Sequence, residues 1–223
     1  RAAGRRTPGG APMILLSDPR VAAVPSSDDG EPLVDLREVP ELRLDTRAAD
    51  PAGAYARVRR GVAERLLAAQ RALPAGLRLL VVEGYRPHHV QRDIFTGYRD
   101  ELRRRYPQWS AGRLHRETTK FVSPVEVAPH STGGAVDLTL CDLDGVELDM
   151  GTAVDATPEA SADACFTAAG NIPAAARRNR QILVAALTGA GMVNYPTEWW
   201  HWSYGDRYWA LMTGAPATRY GPR

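Results

Sequence analysis

Pro129-His130-Ser131-Thr132-Gly133-Gly134-Ala135-Val136-Asp137-Leu138-Thr139-Leu140 is the stretch on which the fold turns. From Gly134 to Leu140 it reads as a strand. Alternation places Ala135, Asp137 and Thr139 on one face and Val136, Leu138 and Leu140 on the other. The second is the core face, so Asp137 projects from the first, toward whatever cleft the sheet carries. A buried carboxylate without a partner is costly, and Asp137 therefore calls for one. His130 stands seven residues earlier, ahead of two glycines that let the backbone turn tightly. On its own a His and an Asp at this spacing is a weak signal; the alternative is a loop histidine and a solvated aspartate.

Far downstream comes Glu198-Trp199-Trp200-His201. Two imidazoles and a carboxylate (His130, Asp137, His201) are ligands that Zn²⁺ accepts, and three of them leave a fourth position for water, as catalytic zinc requires. Glu198 is then a spare carboxylate where a general base belongs. Residues three apart in a straight strand point to opposite faces. Glu198 and His201 can serve one metal only if a bulge intervenes or if Glu198 lies on the turn after Pro196. A plain core strand explains Trp199, Trp200 and Trp202, but not a Glu and a His set among them. The remaining histidines, His88, His89 and His115, fall on predicted helix surfaces and receive no role.

Around these motifs the chain alternates helices and strands. Tyr55 to Leu73 has helical periodicity and ends at Pro74-Ala75-Gly76. Leu77 to Glu83 is an apolar run that reads as a buried strand, broken by Gly84-Tyr85-Arg86-Pro87. His88 to Tyr106 reads as a helix with Val90, Ile94, Tyr98 and Leu102 at four-residue spacing, and Ala111 to Phe121 as a third. Residues 142–174 are loop-rich. Arg178 to Leu187 is a helix, and Met192 to Tyr195 and Trp199 to Tyr204 form a strand pair. Arg86 follows a strand end, where functional groups are common, and its guanidinium suits a developing oxyanion. A surface salt bridge is the plain alternative.

The 223 residues suffice for one large domain, and 44% hydrophobic content permits a full core. A net charge of +2, with the arginines scattered among acids and Lys120 the single lysine, gives no nucleic-acid surface. No apolar run reaches membrane-spanning length. Met13-Ile14-Leu15-Leu16 after Arg1, Arg5 and Arg6 is too short for a signal peptide; a cytoplasmic location is the expectation, with Met13 a candidate start and residues 1–12 a leader or an added remnant. Gly, Pro, Ser and Asp dominate residues 1–31, read as a loosely ordered segment before a single domain at 32–223. Cys141 and Cys165 are too few for a disulfide framework, and their pairing is left open.

Three separated motifs carry a family resemblance: Glu83-Gly84-Tyr85-Arg86-Pro87, His130 through Leu140, and Glu198-Trp199-Trp200-His201. In order and approximate spacing, over about residues 33–205, the chain resembles the zinc D-alanyl-D-alanine dipeptidases of the vancomycin-resistance type. The resemblance implies an α+β fold, a small mainly antiparallel sheet with surrounding helices, as in Hedgehog-type and D,D-peptidase zinc domains. It implies one zinc per chain on His130, Asp137 and His201, Glu198 as base, Arg86 at the oxyanion and Asp155 binding the substrate ammonium. A short D-Ala-D-Ala-like peptide is the implied partner, with roles in peptidoglycan turnover or antibiotic resistance. The chain departs from the family at Ala128, where the resistance enzymes carry a substrate-contacting serine. The rival readings are a D,D-carboxypeptidase or wall endopeptidase of the same superfamily, and a zinc-stabilised binding module without catalysis. Glu198 and Arg86 argue against the last.

Overall fold

The strand that opens the argument runs Ala135–Asp142, and all but its last residue is buried. The computed structural model describes residues 13–119 and 122–223. In chain order these form α1 (Pro19–Ala23), β1 (Leu33–Asp35), β2 (Arg43–Leu44), β3 (Arg57–Arg59), α2 (Arg60–Ala72), β4 (Leu77–Glu83), α3 (His88–Arg105) and α4 (Ala111–Thr118). They continue through β5 (Ala135–Asp142), α5 (Pro158–Ser161), α6 (Ala174–Gly189), β6 (Val193–Asn194), β7 (His201–Ser203) and α7 (Arg207–Thr213). β1 and β3 make an antiparallel ribbon. A five-stranded sheet has the order β2-β4-β5-β7-β6. Only β2 and β4 are parallel in it, so the fold is α+β around a mainly antiparallel sheet.

One face of that sheet is the core. Leu79 and Val81 of β4 lie opposite Leu140 and Leu138 of β5, and Val136 lies opposite Trp202 of β7. Opposed residues of an antiparallel pair share a face. These side chains cluster with Val62 and Leu66 of α2 and Leu183 and Leu187 of α6, the apolar stripes of two amphipathic helices.

The other face carries the polar residues. The β4–β5 register slips by one between Val81 and Glu83, so that Glu83 rather than Val82 faces Asp137. Such a bulge re-aims a side chain. Asp137 is in turn the register partner of His201. Glu83, Asp137 and His201 therefore form one row across three neighbouring strands. The face expected to open toward a cleft is itself largely covered: Ala135 and Thr139 are fully buried and Asp137 is 4% exposed.

Several boundaries differ from the sequence reading. The first long helix starts at Arg60, because Ala54–Ala56 is a 3₁₀ turn and Arg57–Arg59 pairs with β1. The helix from Ala111 closes at Thr118; Lys120 and Phe121, at the end of its expected span, lie outside the described residues. Helix α3 ends at Arg105, one residue short of Tyr106; along it Val90 and Ile94 are exposed and Gln91 is the buried residue. Helix α6 begins at Ala174, directly after Pro173, whose fixed φ suits the entry to a helix. Cys141 and Cys165 are buried free thiols.

The N-terminal segment also differs. Residues 1–12 lie outside the described residues, but 13–31 are not loosely ordered. Leu16 and Val21 are buried with Tyr195 and Tyr208. Asp28 pairs with the fully buried Arg59 at 2.8 Å. The hydroxyl of Tyr220 donates to Glu31 at 2.8 Å. Polar composition suggested looseness, but here the polar groups are the fastenings.

Candidate active site

Four segments converge beside the Glu83–Asp137–His201 row. The first is Gly84-Tyr85-Arg86, just past β4. Gly84 has no room for a side chain, since a Cβ there would come within 2.4 Å of the Arg57 carbonyl. The second is the 3₁₀ turn His130–Thr132, closed by Gly133 at φ 70°, a left-handed conformation that glycine adopts freely. These two segments latch reciprocally. The Arg86 amide donates to the His130 carbonyl at 3.1 Å, and His130 Nδ1 donates to the Gly84 carbonyl at 2.7 Å. A carbonyl can only accept, so the proton sits on Nδ1 and the lone pair of Nε2 faces the site.

The third segment is the β6–β7 connection. Glu198 lies on a turn, its amide donating to Tyr195 O at 3.0 Å. Its carbonyl accepts from the His201 amide at 3.2 Å and from Asn194 Nδ2 at 3.1 Å. The turn is the alternative to a bulge that the three-residue spacing required. Trp199 anchors it: the ring is 1% exposed, and its Nε1 donates to Thr152 Oγ1 at 2.8 Å.

Thr152 belongs to the fourth segment, the loop after Met150. Buried Arg180 clamps this loop, donating to the carbonyls of Met150, Ala164 and Phe166 at 2.7, 2.8 and 2.7 Å. Asp155 stands on it at φ 64°, a conformation that Asp tolerates better than most residues but that still costs on the order of 1–3 kcal/mol.

The donor atoms meet closely. His130 Nε2 lies 3.2 Å from His201 Nδ1 and 3.3 Å from Asp137 Oδ2. His201 Nδ1 lies 3.0 Å from Asp137 Oδ1 and 3.9 Å from Glu198 Oε2. One donor atom from each of His130, Asp137 and His201 falls within 4.8 Å of the other two, the spacing of a metal site. His201 Nε2 is buried without a hydrogen-bond partner among the described residues, which leaves Nδ1 as its engaged nitrogen.

Electrostatics separate the carboxylates. Burial raises the pKa of Asp137, but His130 and His201 outweigh it and hold the group well below the usual carboxylate range. Burial alone would lower that of His130; the charge and hydrogen bond of Asp137 raise it instead. Glu198 is pushed up to about 7, by loss of water and then by the negative Asp137 and Asp155, against the pull of His201 and Arg86. Asp155 is also raised, by loss of water and by the charges of Asp137 and Glu83.

Arg86 is held side-on by Glu83, Nε to Oε1 at 2.7 Å and Nη2 to Oε2 at 2.5 Å, and its Nη1 donates to Gln91 Oε1 at 2.8 Å. Three of the five guanidinium N–H groups are thus spent on position. One on each terminal nitrogen is left uncommitted. Arg86, Asp155, Glu198, His130, Asp137 and His201 line one cavity of about 170 Å³.

All six sequence-predicted residues, His130, Asp137, His201, Glu198, Arg86 and Asp155, therefore come to one cavity. Ala128 does not line it; it lies 3% exposed beside the turn. The sequence reading gave no role to Glu83, Gln91, Tyr195 or Leu16. A carboxylate three before Arg86 at a strand end was a usable signal for Glu83. Nothing local marks Leu16, which arrives by the path of the whole chain.

A model of the D-Ala-D-Ala dipeptidase family matches residues 46–214. The D-alanyl-D-alanine dipeptidase of Synechocystis sp. is 31% identical over 216 residues, covering 84% of this chain and 87% of that protein. The Escherichia coli enzyme of the same name is 36% identical over 128 residues, 57% of this chain and 55% of the relative. That of Enterococcus faecium is 32% identical over 160 residues, covering 65% and 71%. No helix among the described residues is long and apolar enough to cross a membrane. With a matched span that takes in all six of the sequence-predicted residues, this chain belongs to the D-Ala-D-Ala dipeptidase family and is a peptidase.

Proposed function

We propose that the protein hydrolyses D-Ala-D-Ala or a close short relative, with one Zn²⁺ held by His130, Asp137 and His201. The observation that carries this reading is the approach of three buried donor atoms within 4.8 Å, beside a further carboxylate, Glu198, that is not part of the set. Two nitrogens and one carboxylate oxygen are the donor types of catalytic zinc. The tautomer fixed on His130 by the Gly84 carbonyl also suits a metal ligand. Zinc bound there would supply Lewis acidity toward water and toward the scissile carbonyl.

The rest is done by the chain's own side chains. Glu198, its pKa pushed up to about 7, accepts the proton of the attacking water and passes it to the leaving amine. A base poised near the working pH is most effective. Arg86 turns its two uncommitted N–H groups to the carbonyl oxygen as charge develops there. It needs no reorganisation, because Glu83 and Gln91 already hold it. Asp155 binds the free ammonium of the substrate. Its strained backbone and raised pKa fit a carboxylate that awaits a cationic partner.

Size supports a short substrate. A cavity of about 170 Å³ is well below the roughly 300–1,000 Å³ of pockets that enclose drug-sized ligands. The names of the relatives point to D-Ala-D-Ala. Zinc content measured together with hydrolysis of a D,D- and L,L-dipeptide panel, with and without a chelator, tests the reading. Activity that survives complete metal removal would overturn it.

A further inference from the structure

The apolar wall of the cavity includes a residue from outside the span that matches the family, 46–214. Leu16 lines the cavity together with Tyr195 and Glu198 and is 8% exposed. Its backbone is fixed on both sides. The Leu16 amide donates to the Tyr195 hydroxyl at 3.2 Å. The Tyr208 hydroxyl donates to the Ile14 carbonyl at 3.2 Å. Farther along, Asp18 caps α1, Val21 is fully buried, and Arg207 donates to the carbonyls of Ala22 (2.7 Å) and Val24. Tyr195 in turn sits edge-on to both His201 and Tyr208, with ring centroids 5.9 and 5.4 Å apart. Leu16 is thus held against the catalytic wall, and an aliphatic side chain so held presents a shape rather than a charge.

Which end of the substrate it meets follows from its neighbours. Tyr195, whose hydroxyl holds the Leu16 amide, accepts the Glu198 amide on its carbonyl at 3.0 Å, so Leu16 and Glu198 stand on one side of the cavity. Asp155 comes to the same cavity from another segment, the loop after Met150. If the ammonium is at Asp155 and the carbonyl oxygen at Arg86, the residue beyond the scissile bond runs toward Glu198 and hence toward Leu16.

We propose that Leu16 is a specificity-determining residue, the wall against which the side chain of the leaving residue packs, limiting it to about the size of a methyl group. This rests on the dipeptidase reading above. It assigns substrate selection to a residue outside the span that the family model matches.

The test measures kcat/KM for two series, D-Ala-D-Xaa and D-Xaa-D-Ala, with Xaa as alanine, aminobutyrate, valine and leucine. Wild-type protein is compared with Leu16→Ala, Leu16→Val and Leu16→Phe, with zinc content and Tm recorded for each. In Leu16→Ala the ratio of D-Ala-D-Leu to D-Ala-D-Ala is expected to rise by about 10-fold or more, the scale of methylene-sized discrimination. Leu16→Val should rise less, and Leu16→Phe should lower the aminobutyrate ratio. The D-Xaa-D-Ala series should keep its wild-type profile. Ratios within about twofold of wild type in folded, zinc-loaded Leu16→Val and Leu16→Phe overturn the proposal, because a wall in contact must register such changes. A shift confined to the D-Xaa-D-Ala series overturns it as well. Should zinc-loaded wild-type protein cleave no dipeptide of either series, it is the dipeptidase reading that fails.

Discussion

Asp137 and His201 are register partners on adjacent strands, and this pairing brings His201 Nδ1 to 3.0 Å from Asp137 Oδ1 across 64 residues of sequence. Glu83 occupies the same row on the other side of Asp137. Three residues of the polar site, Glu83, Asp137 and His201, therefore form a line across a hydrogen-bonded sheet, a rigid placement that loops alone rarely give. His130 reaches the line from a turn, and the Gly84 carbonyl fixes its ring.

Metal binding should follow that geometry. Protein purified without chelator is expected to carry about one zinc per chain. His201→Ala and His130→Ala should each lose most of it while keeping the wild-type circular dichroism spectrum, since neither side chain belongs to the core cluster. Elemental analysis checks this, and full zinc occupancy in both variants would remove the assignment.

Glu198 is separable from the metal set. It stands 3.9 Å from His201 Nδ1, beyond the closer contacts of the other three side chains. Glu198→Gln is expected to bind zinc as wild type does and to lose on the order of 10²-fold or more in kcat, the reach of general acid–base catalysis. A near wild-type rate in this variant takes Glu198 out of the mechanism.

The Arg86 guanidinium is a placed group, so both it and its holder should matter. Arg86→Ala is expected to depress kcat by roughly 10²- to 10³-fold, the loss of one oxyanion donor. Arg86→Lys should recover only part, because an ammonium lacks the planar fork. Glu83→Gln, which leaves the guanidinium present but held by a neutral group, should fall between wild type and Arg86→Ala. If Arg86→Ala raises KM with kcat intact, Arg86 binds ground state and transition state alike.

The strands of the site were legible because their chemistry is local. β4 matched its apolar run residue for residue, and β5 its alternation within one residue at the start and two at the end. The turn at Glu198 was also within reach, since residues three apart had to leave a straight strand to share a metal. What escaped was set by tertiary contact. The four-residue spacing in α3 marked the helix but not its buried face: Val90 and Ile94 are exposed, while polar Gln91 is buried because Arg86 and the Ser123 carbonyl satisfy it. The segment from Met13 to Glu31 looked loose because its polar residues were read as solvated. Their partners, Arg59, Arg219 and Tyr220, come from distant parts of the chain.

Asp155 offers a prediction in which pH is the variable. Only its ionised form can pair with a substrate ammonium, and burial with the charges of Asp137 and Glu83 raises its pKa above the usual value. The preference for a free amino terminus should thus be fully present above that raised pKa and fade as pH falls through it. The fading starts at higher pH than for an ordinary aspartate, near 3.9. At the alkaline end the preference should fade again as the substrate's own amine loses its proton, at about 8. The quantity to measure is the ratio of kcat/KM for D-Ala-D-Ala to that for its N-acetyl form, across pH. Acetylation removes the charge and leaves the carboxylate without a partner, a loss of about 2–5 kcal/mol for a buried pair. Asp155 lines the cavity but is exposed as a residue, so the lower end of that range applies, roughly 30-fold in the ratio. Asp155→Asn should flatten the acid limb and bring the ratio toward one, while zinc content stays unchanged. Equal efficiency for the two substrates in wild-type protein at neutral pH would reject the ammonium contact and favour a carboxypeptidase or endopeptidase that accepts longer chains.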